Sequence, residues 1–283
     1  MTRNRRGFTL IELLIVAVLG SLVLLATLQV LLTNSRTYRA QAATISGQQT
    51  TRMAVEVLFA ELREVSASGG DILAMSQDSI TVRLMRKFSI VCGTDWTGQP
   101  TVRVISDFVL NSGDTLYIMG GTNRFAAGDS VFVFADNDED MIRDDAWIAA
   151  SVTAVDSGVV CPQPDSAAAL DLTFNGQGAL FTADSVGIGA PVRSYEEFTF
   201  GTTTMNGDLY LARRDTGDYI PIAGPLAPSN GLEFVYRDSL GAVTTVDTLV
   251  AQIEVLVRTG SELQNSLGQM VQDSVLVWIY TRN

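Results

Sequence analysis

The chain has 283 residues, enough for a substantial core, and its 47% hydrophobic and 18% charged content excludes a disordered tail. Nineteen basic residues face 31 acidic ones, for a formal charge of −12, which opposes the clustered Lys and Arg of a nucleic-acid footprint. Histidine is absent, so Ser-His-Asp and Cys-His nucleophilic sites and the usual His-bearing zinc and iron sites are excluded, leaving only carboxylate chemistry to an enzyme.

Arg3, Arg5 and Arg6 precede a long apolar run, and no residue from Leu13 to Ser35 is charged. As a helix those 23 positions reach about 35 Å, enough to cross a bilayer core. The reading is a membrane helix over 8–35 behind a basic leader over 1–7. Positive charge is retained in the cytoplasm, so the N-terminus stays inside and the remainder is extracytoplasmic. A secretory signal peptide would have a shorter apolar core and a small-residue cleavage site after it. Glu12 stands out, because a carboxylate at the start of a membrane segment needs a partner or a role. The alternative is a residue that snorkels to the headgroups.

The first proline is Pro100, so the helix can continue through a stalk over 36–66. Val55, Leu58, Phe59, Leu62 and Val65 follow helical spacing and predict one apolar face packed on the chain's own domain. Gly47 is a weak point in the middle, and Gly69-Gly70 supply a stop.

Residues 67–283 read as a mostly antiparallel β-rich head. Strand-like runs are Ser79 to Leu84, Thr115 to Ile118, Ser130 to Phe134, Leu209 to Leu211, Leu232 to Tyr236, Ile253 to Val257 and Ser274 to Tyr280. Gly120-Gly121, Asn175-Gly176, Asn206-Gly207 and Asn230-Gly231 are turn signals. Whether a second small β subdomain begins near residue 196 stays open. Cys92 and Cys161 form no CxxC pair, and in an exported head they suggest a disulfide; two separate buried thiols are the alternative. Asp136, Asp138 and Asp140 are oxygen donors in an acidic loop that could hold Ca²⁺. With Met141 at the sixth position and Trp147 at the twelfth it is no EF-hand, and a solvated acidic turn is the competing reading. No other cofactor is expected.

The run Arg5-Arg6-Gly7-Phe8-Thr9-Leu10-Ile11-Glu12 closely resembles the class III signal of type IV prepilins and pseudopilins. The resemblance implies cleavage between Gly7 and Phe8 by a prepilin peptidase, which then methylates the Phe8 amine. It implies that Glu12 is the family's buried glutamate, pairing with the Phe8 amine of a neighbouring subunit and setting the axial register. The implied fold is α+β, a long N-terminal helix packed on an antiparallel head. The implied partners are major and minor pilins, the inner-membrane assembly platform and the membrane itself, with no nucleic acid. The implied location is the bacterial inner membrane and then the filament.

Ser35-Arg36, Tyr38-Arg39-Ala40-Gln41, Gln49, Arg52, Ala54 and Glu61-Leu62-Arg63 resemble the PilW-like minor pilins. So, more weakly, do Asn230 to Tyr236 and Ile253 to Arg258. Major pilins often carry a helix-bending proline in the membrane half and a C-terminal disulfide loop, and this chain has neither. The resemblance thus points to a structural minor pilin acting in pilus initiation or at the tip, and not to an enzyme. A minor pseudopilin of type II secretion is the nearest alternative, and a membrane-tethered binding module is the alternative of another class.

Overall fold

The computed structural model describes residues 9–109, 115–117, 124–136, 145–162, 167–175, 185–264 and 270–282. It is α+β: one long helix packed on a large antiparallel head. Helix α1 (Leu10–Leu62) runs unbroken for 53 residues, about 80 Å, and passes through both Gly20 and Gly47. It ends four residues before the expected Ser66. The Asp71 carboxylate accepts the Ser66 N–H (2.9 Å), and the Asp71 N–H returns to the Ser66 carbonyl (3.0 Å). Those bonds divert the chain into a turn, completed by Gly70 at φ +76°, before Gly69-Gly70 could act as the stop.

The buried face of α1 is Thr50, Thr51, Ala54, Leu58 and Leu62, with Val55 partly buried beside them. Phe59, expected on that face, is 42% exposed at its margin. Gly47 is a docking point and no weak one. A Cβ added there would stand 2.9 Å from Thr259 Oγ1, so the missing side chain lets the helix approach the sheet.

The head contains β1 (Ile72–Met75), β2 (Ile80–Asp95), β3 (Thr101–Val109), β4 (Thr115–Tyr117) and β5 (Ser130–Ala135). It continues with β6 (Ala146–Val160), β7 (Ala168–Phe174), β8 (Pro191–Met205), β9 (Asp208–Arg214) and β10 (Ile220–Leu226). It closes with β11 (Leu232–Arg237), β12 (Gln252–Gln264) and β13 (Met270–Tyr280). The strand-like runs read from the sequence fall in these elements, apart from Ser79, which precedes β2 in the turn after β1, and Ile118, which lies outside the described residues. Asn206 (φ +54°) and Gly207 (φ +93°) form the two-residue hairpin between β8 and β9 that their sequence signalled. Gly120-Gly121 and Gly176 lie outside the described residues.

Two cores result. β1-β2-β8-β9-β10 and the separate sheet β11-β12-β13 pack around the second half of α1. Leu58, Leu62, Phe198, Phe200, Leu211, Phe234 and Ile253 fill the space between them. β2 and β8 then extend beyond that sheet. Through β3, β7, β6 and β5 their pairings return to one another, so six antiparallel strands close into a barrel. Val91, Val104, Val131, Leu172, Phe174 and Val192 fill its interior. Residue 196 lies within β8 and marks no break in the chain.

Arg193 of β8 joins the two parts. Its guanidinium donates to both Asp71 oxygens (2.9 and 3.0 Å), and its carbon end lies over Trp147 (4.6 Å) and Phe132 (5.0 Å) on the barrel wall. Asp71 is 1% exposed.

Candidate functional site on the N-terminal helix

The helix begins with a reciprocal cap. Glu12 N–H donates to Thr9 Oγ1 (3.3 Å), while Thr9 N–H (2.9 Å) and its hydroxyl (3.1 Å) donate to Glu12 Oε2. Glu12 therefore stands at the third helical position and closes a capping box with Thr9. Thr9 was not singled out in the sequence, although Thr-x-x-Glu before an apolar run carries that signal. Gly7 and Phe8, the expected cleavage pair, lie outside the described residues.

Beyond the cap, Leu10 to Leu32 present apolar side chains on all sides, and none is buried. The mean hydropathy of the most apolar stretch is 2.6. A helix apolar all round is stable only with a non-aqueous covering, which here is a bilayer or other helices. Its hydroxyl groups at Ser21 and Thr27, and that of Thr37 beyond, bond back to the helix. Ser21 donates to the Val18 carbonyl (2.8 Å), Thr27 to that of Val23 (2.5 Å) and Thr37 to that of Thr33 (3.0 Å). Such bonding lets hydroxyls sit in an apolar surround.

The second half of α1 docks through small and polar groups. Thr51 donates to Asp273 Oδ2 (3.1 Å), and Thr50 to the Gly224 carbonyl (3.2 Å). Where the helix leaves the head, an open cleft of about 1140 Å³ lies between Thr44, Gly47, Asp208, Pro228, Arg258 and Gln272.

Cys92 of β2 and Cys161, just after β6, are disulfide-bonded, with their Cα atoms 5.6 Å apart. The bond is covered by Ile105 and Ala169 on the barrel. Thiol labelling of the unreduced, denatured protein is therefore expected to find no reactive cysteine, and two labelled thiols per chain would contradict this pairing. Asp136 follows β5 and is partly buried. Asp138 and Asp140 lie outside the described residues. Among the described residues no three acidic or cysteine side chains converge as metal ligands.

The family model of the prokaryotic N-terminal methylation motif matches residues 2–28. No curated protein and no solved structure matches the chain. The motif implies processing by a prepilin peptidase and assembly with other pilins. With the one long apolar helix among the described residues, which begins inside the matched segment, it supports a type IV prepilin-like protein anchored at a membrane by α1.

Proposed function

We propose that this chain is a minor pilin of a type IV pilus, acting in filament initiation or at the tip. The observation that carries the proposal is the form of α1. One continuous helix has a fully exposed apolar half bearing Glu12 and a second half buried in a separate head. A peptide anchor needs only the first half. Unbroken continuation into the head couples the head rigidly to a helix that can pack among other such helices. The PilW-like reading rests on the runs around Tyr38-Arg39, Leu62-Arg63 and Asn230-Gly231. In this reading Gly7 is the residue before the cut, Phe8 the methylated one and Glu12 the partner of a neighbour's Phe8 amine. The head is extracytoplasmic, because Arg3, Arg5 and Arg6 hold the leader inside.

N-terminal sequencing and intact mass of protein from membranes and sheared filaments test this. The mature chain is expected to start at Phe8 with one added methyl group. A chain starting at Met1, or beyond residue 30, overturns the reading. Loss of surface filaments on deletion separates a pilus subunit from a secretion pseudopilin, whose deletion would instead leave secreted proteins inside the cell.

A further inference from the structure

We propose that the free edge of β13 takes an extended strand from a different membrane-anchored chain, running antiparallel to β13. Among the described residues β13 pairs only with β12. Exposed strand edges template further pairing, and soluble proteins blunt them with short strands, prolines, charges or a covering segment. The other edges of the two core sheets are treated in this way. β1 has four residues, and β10 carries Pro221 and Pro225. The edge of β11 is met by the turn before β2, where Gln77 accepts the Phe234 N–H (2.8 Å) and donates to Glu233 (2.9 Å).

β13 has none of these devices. Its 11 residues, Met-Val-Gln-Asp-Ser-Val-Leu-Val-Trp-Ile-Tyr, include neither proline nor a basic residue. The one charge, Asp273, is already engaged by Thr51. Val277 and Ile279 turn to the core, while Leu276, Trp278 and Tyr280 are 48%, 51% and 69% exposed on the outer face. On that same face the charges sit on β11 and β12, as the pairs Arg237–Glu254 (2.7 Å) and Arg258–Glu233 (3.1 Å). The apolar surface is concentrated on β13, the strand with the unpaired edge. Trp278 Nε1 donates to Glu254 Oε1 (3.1 Å), so the indole is satisfied and offers its apolar face outward.

The direction of β13 identifies the occupant. Asp273 lies beside Thr51, and Arg282 N–H donates to the Val65 carbonyl (2.9 Å), so β13 runs the same way as α1. Antiparallel pairing of two copies through β13 would set their α1 helices in opposite directions. Two chains anchored by the same end in one membrane do not permit that, and this step rests on the membrane-anchored reading above. Parallel pairing of two copies through this same edge needs a two-fold axis along the strands, which turns the partner's sheet over and leaves Leu276, Trp278 and Tyr280 uncovered, so the occupant is a segment of another chain that runs toward the membrane. It has low charge and carries apolar or aromatic residues at alternate positions beside Leu276, Trp278 and Tyr280.

The test places a photoreactive benzoylphenylalanine singly at Ser274, Leu276, Trp278 or Tyr280 of the full-length chain in its native cells. The cross-linked residues are then mapped. The expected result is one segment of one other protein, contacted in reverse order and in steps of two residues. Trp278→Lys is expected to lower the yield from Tyr280 about tenfold while protease resistance of the head is unchanged, since that side chain is exposed. Links to this same chain, to lipid, to scattered sites, or no links at all overturn the proposal. The Phe8 terminus is read in the same samples. A correctly processed chain without ordered links overturns strand addition alone, and an unprocessed chain overturns the pilin-like reading on which it rests.

Discussion

Replacing Arg193 with leucine is expected to destabilise the head by about 3–5 kcal/mol, the cost of leaving one member of a buried ion pair without its partner. Asp71 is 1% exposed, and its oxygens receive two bonds from Arg193 and one from the Ser66 N–H. Without the guanidinium the buried carboxylate loses both of its charge-assisted bonds and keeps the Ser66 N–H. The platform over Phe132 and Trp147 is lost as well. Denaturant unfolding of the full-length chain in detergent, followed by tryptophan fluorescence, measures the loss. The double variant Asp71→Leu with Arg193→Leu removes both charges and is expected to recover part of it, because the unpaired charge carries most of the cost. A single variant within about 1 kcal/mol of wild type would show that the pair does not hold helix end and barrel together.

Glu12→Val is expected to leave the amount of protein in the membrane unchanged and to lower its incorporation into filaments about a hundredfold or more. Removing a carboxylate does not hinder insertion. The head folds around residues far from Glu12. In the proposed filament, what disappears is the partner of a charged Phe8 amine in an apolar setting, at roughly 3–5 kcal/mol. The capping box introduces a second cause that must be separated, since Glu12 also receives the Thr9 N–H and hydroxyl. Glu12→Gln keeps an acceptor at the third helical position and removes the charge; Thr9→Ala removes a cap bond, worth about 1 kcal/mol, and keeps the charge. If the charge sets register, the glutamine variant is as defective as valine and the alanine variant assembles nearly as wild type. The opposite pattern, read as the ratio of sheared-filament to membrane protein, would assign the defect to helix capping.

The helix and the fold class were legible because their signals are local. The uncharged stretch from Leu13 to Ser35 and the run from Gly7 to Glu12 are each contained in a few turns of chain, whereas the Thr9 cap, equally local, was not singled out. The hairpin at Asn206-Gly207 was legible for the same reason. The barrel was not. Ile80 pairs with Phe200 and Ser130 with Tyr195, and no local pattern announces partners at such separations. Phe59 has the right spacing for the buried stripe, but β10, β12 and β13 meet the helix along the arc of Thr51, Ala54, Leu58 and Leu62, and Phe59 falls at its margin. Gly47 illustrates the same limit. Its lack of a side chain reads as helix weakness until the approach of Thr259 is known. Of the candidate site, Glu12 and the cysteine pair could be named in advance. The buried Asp71–Arg193 pair could not, because burial of an ion pair is a property of the assembled fold.

The closed circuit of strands has a mechanical consequence. The barrel departs from and returns to the first sheet through β2 and β8, which are direct neighbours paired from Ile80–Phe200 to Ile90–Pro191. A pull along α1 is passed to the head as shear against β10, β12 and β13, with Arg282 tied to Val65 at the far end. The line of tension bypasses the barrel, which hangs beside the load path from two adjacent points. Its loops and outer surface are thus free to lengthen, shrink or change chemistry without altering the strength of the spine or, in the proposed filament, the axial rise a subunit contributes. Whatever the barrel displays can diversify at little mechanical risk to the structure that carries it.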